Sequence, residues 1–163
     1  VEKNSGKNIF GEKSGGNLEI REKMGFVHLL GHSSYSFLEA IGSIDAVLAR
    51  AGELGQNAVA LQEYFGMSGA VEFSQKAEKA EINPLIGVTL GFSLGEQVVG
   101  RKQEISTISL LAENEAGYKN LLKLTTAAMN SGGEKPLVTL EQCREFGAGN
   151  FLILGGQTSR RWS

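Results

Sequence analysis

Cysteine occurs once, at Cys143, so the chain has no internal disulfide framework and suits a reducing compartment. A surplus of cations is missing too. Lys and Arg total 16 against 18 Asp and Glu, and the net charge is -2. A surface that tracks phosphates needs a strong excess of Lys and Arg on one face, so contact with DNA is expected to be only indirect. No apolar run approaches the ~20 residues that cross a bilayer, and the first residues lack the apolar core of a signal peptide. No membrane partner is expected, and the cytoplasm is the default location.

What remains is 41% apolar and 21% charged residues, the balance of a soluble globular chain, and 163 residues suffice to bury a core without staples. Residues 1–24 stand apart. They are rich in Gly, Asn, Ser, Lys and Glu and cannot bury enough surface to offset the entropy of ordering. They read as a disordered extension, native or appended, ahead of a domain at 25–163. Gly6, Gly11, Lys13 and Ser14 mimic a phosphate-binding loop within it, but Glu12 interrupts the ending and no strand precedes it.

From Phe26 onward, strand and helix signals alternate. A buried strand is expected first, with His28 inside it and His32 where it runs out into a Ser-rich loop. Ser43 caps a helix with Ile44, Val47, Leu48, Ala51 and Leu54 along its apolar side and Gly55 as the left-handed exit. Residues 58–61 read as a second strand. Ser68 opens a helix carrying Ala70, Phe73, Ala77 and Ala80, and Asn83-Pro84 turns the chain before a third strand at 85–90. A loop or hairpin over 91–104 leads to a fourth strand at 105–112. Asn114 then caps the longest helix, striped by Tyr118, Leu121, Leu122, Thr125 and Met129. Thr139 and Gln142 form a capping box for a short helix holding Cys143, and 151–154 is a fifth strand.

This alternation predicts a parallel α/β sheet with right-handed crossovers and chemistry gathered at the carboxyl ends of the strands. A closed barrel usually takes about 200 residues or more. The chain is therefore expected to be either the front part of a longer barrel or an open sheet.

The opening FVHLLGHSSYSFLEAIG is followed in order by IDAVLARAGELGQNAVAL, SGAVEFSQKAEKAEINPLIG and LLAENEAGYKNLLKL. Together they resemble the polymerase-and-histidinol-phosphatase (PHP) domains that begin the alpha subunits of bacterial DNA polymerase III. Those run as FVHLHVHSEYSLLDG, IDELVARAKELGMPALAL, FGAVEFYKAAKKAGIKPIIG and LLAKNEEGYRNLIKL. The likeness covers 26–157. It implies a PHP-type distorted (β/α)7 barrel, only partly covered by this chain, and a cluster of divalent metals in the family's active members.

Carried over, most of that ligand set is changed. Of the His-x-His pair, Leu30 has lost its donor and His32 keeps it. The family's Asp falls on Glu39. Its Thr-Asp-His triplet falls on Gln62, Glu63 and Tyr64, so Glu63 keeps a carboxylate while Tyr64 replaces an imidazole. Its further Glu, His and Cys fall on Thr89, Thr107 and Gln157. His32, Glu39 and Glu63 are thus the expected relic positions, able to hold one zinc, manganese or magnesium ion weakly; no cofactor is expected. A hydrolytic cluster needs several anionic or imidazole groups converging at about 2.0–2.2 Å, and three cannot rebuild a two-metal clamp. His28 reads as a packing or hydrogen-bonding residue, Glu63 otherwise as a loop carboxylate, Cys143 as structural, and Arg160 and Arg161 as a solvated basic end.

The function implied by the resemblance is DNA replication. The chain would be the non-catalytic PHP domain of a DNA-directed DNA polymerase, a nucleotidyltransferase, stabilising the rest of the alpha subunit and docking its proofreading exonuclease subunit. Two alternatives stand beside it. One is a metal-dependent PHP phosphoesterase or 3'-5' proofreading exonuclease using His32, Glu39 and Glu63. The other is a stand-alone PHP remnant acting as an interaction module.

Overall fold

The computed structural model describes residues 25–93, 106–132 and 136–153. The opening strand is not formed as a ladder, which corrects the first expectation. Residues 25–33 run beside β1 (Ala58–Tyr64), where Ala60 N donates to His28 O at 3.0 Å and Gln62 N to Gly31 O at 2.8 Å. A step of two along β1 therefore matches a step of three along the segment, and the extra residue breaks the register as a bulge does. The Gln62 side chain fills in for the backbone, its Nε2 donating to Leu29 O at 2.6 Å. Contact at Gly31 is so close that a Cβ there would lie 2.8 Å from Ala60 O.

Local capping signals are realised more faithfully. Ser43 Oγ accepts from Ala46 N at 3.2 Å and starts α1 (Ile44–Glu53), and Gly55 leaves it at φ 66°. Ile44, Leu48 and Ala51 face inward, but Leu54 is exposed because as C-cap it has already left the helical spiral. In α2 (Ala70–Lys79), Gly69 rather than Ser68 is the N-cap and no side chain caps it; Ala70, Phe73 and Ala77 are buried, and Ala80 ends the helix exposed. The strand β2 (Asn83–Ser93) begins at Asn83 itself, with Pro84 opposite Val59 instead of turning the chain. Proline is tolerated near the first residue of a strand, where a missing N–H costs least.

The expected all-parallel sheet is also corrected. β1 and β2 pair parallel, but β3 (Ser106–Ala112) runs antiparallel to β2. Antiparallel neighbours can be joined by a short connection, and β2 ends at Ser93 only shortly before β3 begins at Ser106. α3 (Glu115–Met129) starts at Asn114, whose Oδ1 accepts from Gly117 N at 3.0 Å. Its inward face is Gly117, Leu121, Leu124 and Ala128, while Leu122 and Met129 of the expected stripe are exposed. Adjacent helical residues point about 100° apart, so Leu121 and Leu122 cannot both face the sheet, and Leu121 does. β4 (Leu137–Thr139) leads into α4 (Leu140–Phe146) through the expected reciprocal capping box of Thr139 and Gln142. β5 (Asn150–Ile153) pairs antiparallel with β3.

The sheet order is β1-β2-β3-β5, with β4 also paired to β2. Two apolar clusters lie against it. One joins α1 and α2 to β1 and Ile86 of β2; the other joins α3, β3 and Val138 to Val88 and Leu90 of β2, and Met67 touches both. Their buried leucines, isoleucines and Phe73 each contribute roughly 1.5–3 kcal/mol by leaving water. β2 is the strand they share.

Candidate functional site at the fork of the sheet

β2 changes partner near its end. It pairs with β1 as far as Tyr64 opposite Thr89 and with β4 from Gly91 opposite Leu137. The sheet forks there, and Phe65 turns the chain away at φ 60° while its N–H holds Thr89 O at 2.8 Å. A bulky residue in left-handed backbone is uncommon and carries strain of order 1–3 kcal/mol. The retained family positions lie around this fork.

Glu63 is buried at 3% exposure. Its Oε1 accepts from Ser33 Oγ at 2.5 Å, both its oxygens lie 3.2 Å from Ser33 N, and Oε2 accepts from Ser36 Oγ. Ser36 Oγ in turn accepts from Tyr64 N at 2.9 Å. Among the described residues no Lys or Arg pairs with Glu63, so the expected loop carboxylate is held by serines and not by a cation.

His32 goes elsewhere. Its Nδ1 meets the Gln62 carbonyl, and its ring stacks on Tyr64 with centroids 4.2 Å apart and an interplanar angle of 23°. Neighbouring strand residues point to opposite faces, so Glu63 and the Tyr64 ring that holds His32 diverge. Glu39 is exposed. Burial, and after it the Glu39 charge, push the Tyr64 phenol above its ordinary value of 10.0.

Of the positions expected to have lost their donors, Thr89 is satisfied by a hydroxyl on the next strand and Leu30 is turned outward. Thr89 Oγ1 and Ser109 Oγ, buried on adjacent strands, bond at 2.8 Å. Thr107 sits opposite Gly91, half-buried, and Leu30 is exposed. Gln157, Arg160 and Arg161 fall outside the described residues. His28 is hydrogen-bonded as expected, though not within a strand: Gln56 Nε2 lies 2.7 Å from its Nδ1, and the Phe26 ring packs edge-on against it. Cys143 lies half-buried on α4, where burial pushes its thiol up from 9.0.

The donor set among the described residues does not fit a divalent metal. Among the described residues no three His, Cys, Asp or Glu side chains come together closely enough to hold an ion. Glu63 has its oxygens occupied by hydroxyl and amide donors, His32 is turned onto an aromatic ring, and a threonine and serine bond each other where an anionic ligand would be needed. Sequence reasoning missed Ser33, Ser36 and Ser109 as members of the arrangement. The serines of HSSYS carried a signal for the first two; the Thr89–Ser109 pair became visible only with the strand register.

The fold is an α/β sheet with helices, and a hydrogen-bonded polar cluster around Glu63 lies at its strand ends. The chain belongs to the PHP domain family, whose model matches residues 28–157. It is similar to the DNA polymerase III subunit alpha of Buchnera aphidicola subsp. Schizaphis graminum, 35% identical over 135 residues, covering 80% of this chain and 11% of that protein. The DNA polymerase III subunit alpha of Caulobacter vibrioides is 34% identical over 138 residues, covering 83% of this chain and 12% of its own length. The chain thus spans about a tenth of these relatives. An amidohydrolase from Chromobacterium violaceum superposes with a TM-score of 0.47 at 22% identity, over 63% of this chain and 32% of that one. The mixed sheet with its helices fits a partial PHP-type barrel. No helix among the described residues is long and apolar enough to cross a membrane.

Proposed function

We propose that the chain, with 25–163 as one unit, is the non-catalytic PHP domain of a cytoplasmic DNA polymerase III alpha subunit in DNA replication. In that role it stabilises the remainder of the subunit and docks the proofreading exonuclease subunit, reaching DNA only through them. One observation carries this reading: Glu63 is spent on Ser33 and Ser36, and Thr89 on Ser109, while the packing beneath them is intact. A catalytic centre would instead need such groups free to meet an ion or a substrate. His32, Glu39 and Glu63 stand as relic positions and not as a working zinc, manganese or magnesium site.

Elemental analysis of the purified chain beside His32→Ala tests this, together with capture of the polymerase and exonuclease subunits. The expected result is no stoichiometric metal in either sample and retention of both partners. Stoichiometric metal that disappears in His32→Ala would overturn the reading and favour a PHP phosphoesterase.

A further inference from the structure

Glu63 is a buried carboxylate whose surroundings resemble a tied loop more than a ligand sphere. The segment it binds, 33–36, forms a turn closed by Ser36 N donating to Ser33 O at 2.8 Å, and Ser33 and Ser36 are themselves buried. The Ser33 amide, the Ser33 hydroxyl and the Ser36 hydroxyl all point at the one carboxylate. Ser36 Oγ then passes the connection back to the backbone of β1 at Tyr64 N. The start of α2 closes the far side: a Cβ at Gly69 would lie 3.3 Å from Glu63 Oε1 and 3.0 Å from the Tyr35 ring. The carboxylate therefore joins turn, strand and helix in a space with little room for an ion.

We propose that Glu63 is a positioning residue that fastens the 33–36 turn to β1 by hydrogen bonds alone, and that this fastening closes the position to divalent metal. The inference deepens the non-catalytic reading and rests on it, since a metal cluster would compete for the same oxygens. Hydrogen bonds to a charged acceptor are worth more than neutral ones, and several converging on one carboxylate can hold a short turn without an ion. Removing the acceptor leaves buried donors unpaired, so the turn should open while the core persists. A Gln offers one oxygen acceptor and presents an amide N–H to groups that already donate.

The test is amide hydrogen exchange of the full chain, chelator-treated, comparing wild type with Glu63→Gln and Ser36→Ala. In both variants the Ser33 and Tyr64 amides should exchange faster, by about tenfold at Ser33, whose acceptor is charged, and several-fold at Tyr64, whose acceptor is the Ser36 hydroxyl. Amides in α3 should be unchanged. Ser36→Ala retains the carboxylate and keeps the test valid should Glu63→Gln fail to fold. Unchanged exchange at Ser33 and Tyr64 in Ser36→Ala would overturn the fastening, whatever the metal content. Added zinc or manganese chloride should leave the wild-type melting temperature unmoved. A metal-dependent rise that Glu63→Gln abolishes would instead restore Glu63 as a ligand and sink the non-catalytic reading with it.

Discussion

At Gly31 a single hydrogen in place of a methyl decides how the opening segment lies on β1. A Cβ would stand 2.8 Å from Ala60 O, a backbone atom that cannot swing aside. Gly31→Ala should therefore push the segment off the strand and destabilise the fold by about 1–3 kcal/mol, the usual range for forcing an extra methyl into a packed position. Urea denaturation of the variant beside wild type measures it; an unchanged midpoint would show that the segment contributes little. At this scale the sequence was partly legible. The retained donors at His32, Glu39 and Glu63 could be named from the chain, yet where each pointed could not. Stacking of His32 on Tyr64 and closure of Ser33 and Ser36 on Glu63 are choices among hydrogen bonds that linear spacing does not encode.

The turn and α2 are also joined at the surface. Tyr35 OH donates to Glu72 Oε2 at 2.5 Å, and Lys76 reaches Glu72 at 2.8 Å and Asp45 of α1 at 2.5 Å. The hydrogen bond to Glu72, and then its charge, push the Tyr35 phenol above 10.0. Lys76 and then Tyr35 hold Glu72 below 4.5, while Asp45 and then Glu72 push Lys76 up to about 12. A depressed carboxyl contributes stability that is present above its unfolded value and lost as the pH falls through the folded one. A raised phenol contributes stability that is present below 10.0 and lost as the pH rises through its folded value. The contact should thus be intact through the neutral range and weaken at both extremes, modestly and with salt screening because its members are exposed. Titrating tyrosinate absorbance in wild type and Glu72→Gln checks this: Tyr35 should ionise earlier in the variant, and coincident curves would contradict the linkage. Among the elements, helix starts were the most legible, because Ser43, Asn114 and the Thr139–Gln142 box act within one turn of chain. The direction of β3 was not, since strand propensity is the same either way and only the connection and partners set it.

Across the whole molecule, the two apolar clusters are not independent. Val88 and Leu90 belong to one, Ile86 to the other, and all three lie on β2, with Met67 touching both clusters. Equilibrium unfolding in urea, followed by far-ultraviolet circular dichroism and by tyrosine fluorescence, should therefore give one coincident transition. Phe73→Ala in the first cluster and Leu121→Ala in the second should each shift that transition as a whole. Two separated steps would mean that the clusters fold apart.

Strand β2 carries ladders to β1, β3 and β4, parallel on one side and antiparallel on the other. Sliding it by one residue would turn its side chains to the opposite faces, carrying Val88 and Leu90 out of one layer and Thr89 away from Ser109. A neighbour on either flank would register the mistake at once. The strand thus acts as a shared ruler for assembly: an error in its alignment would disturb the ladders on both flanks together.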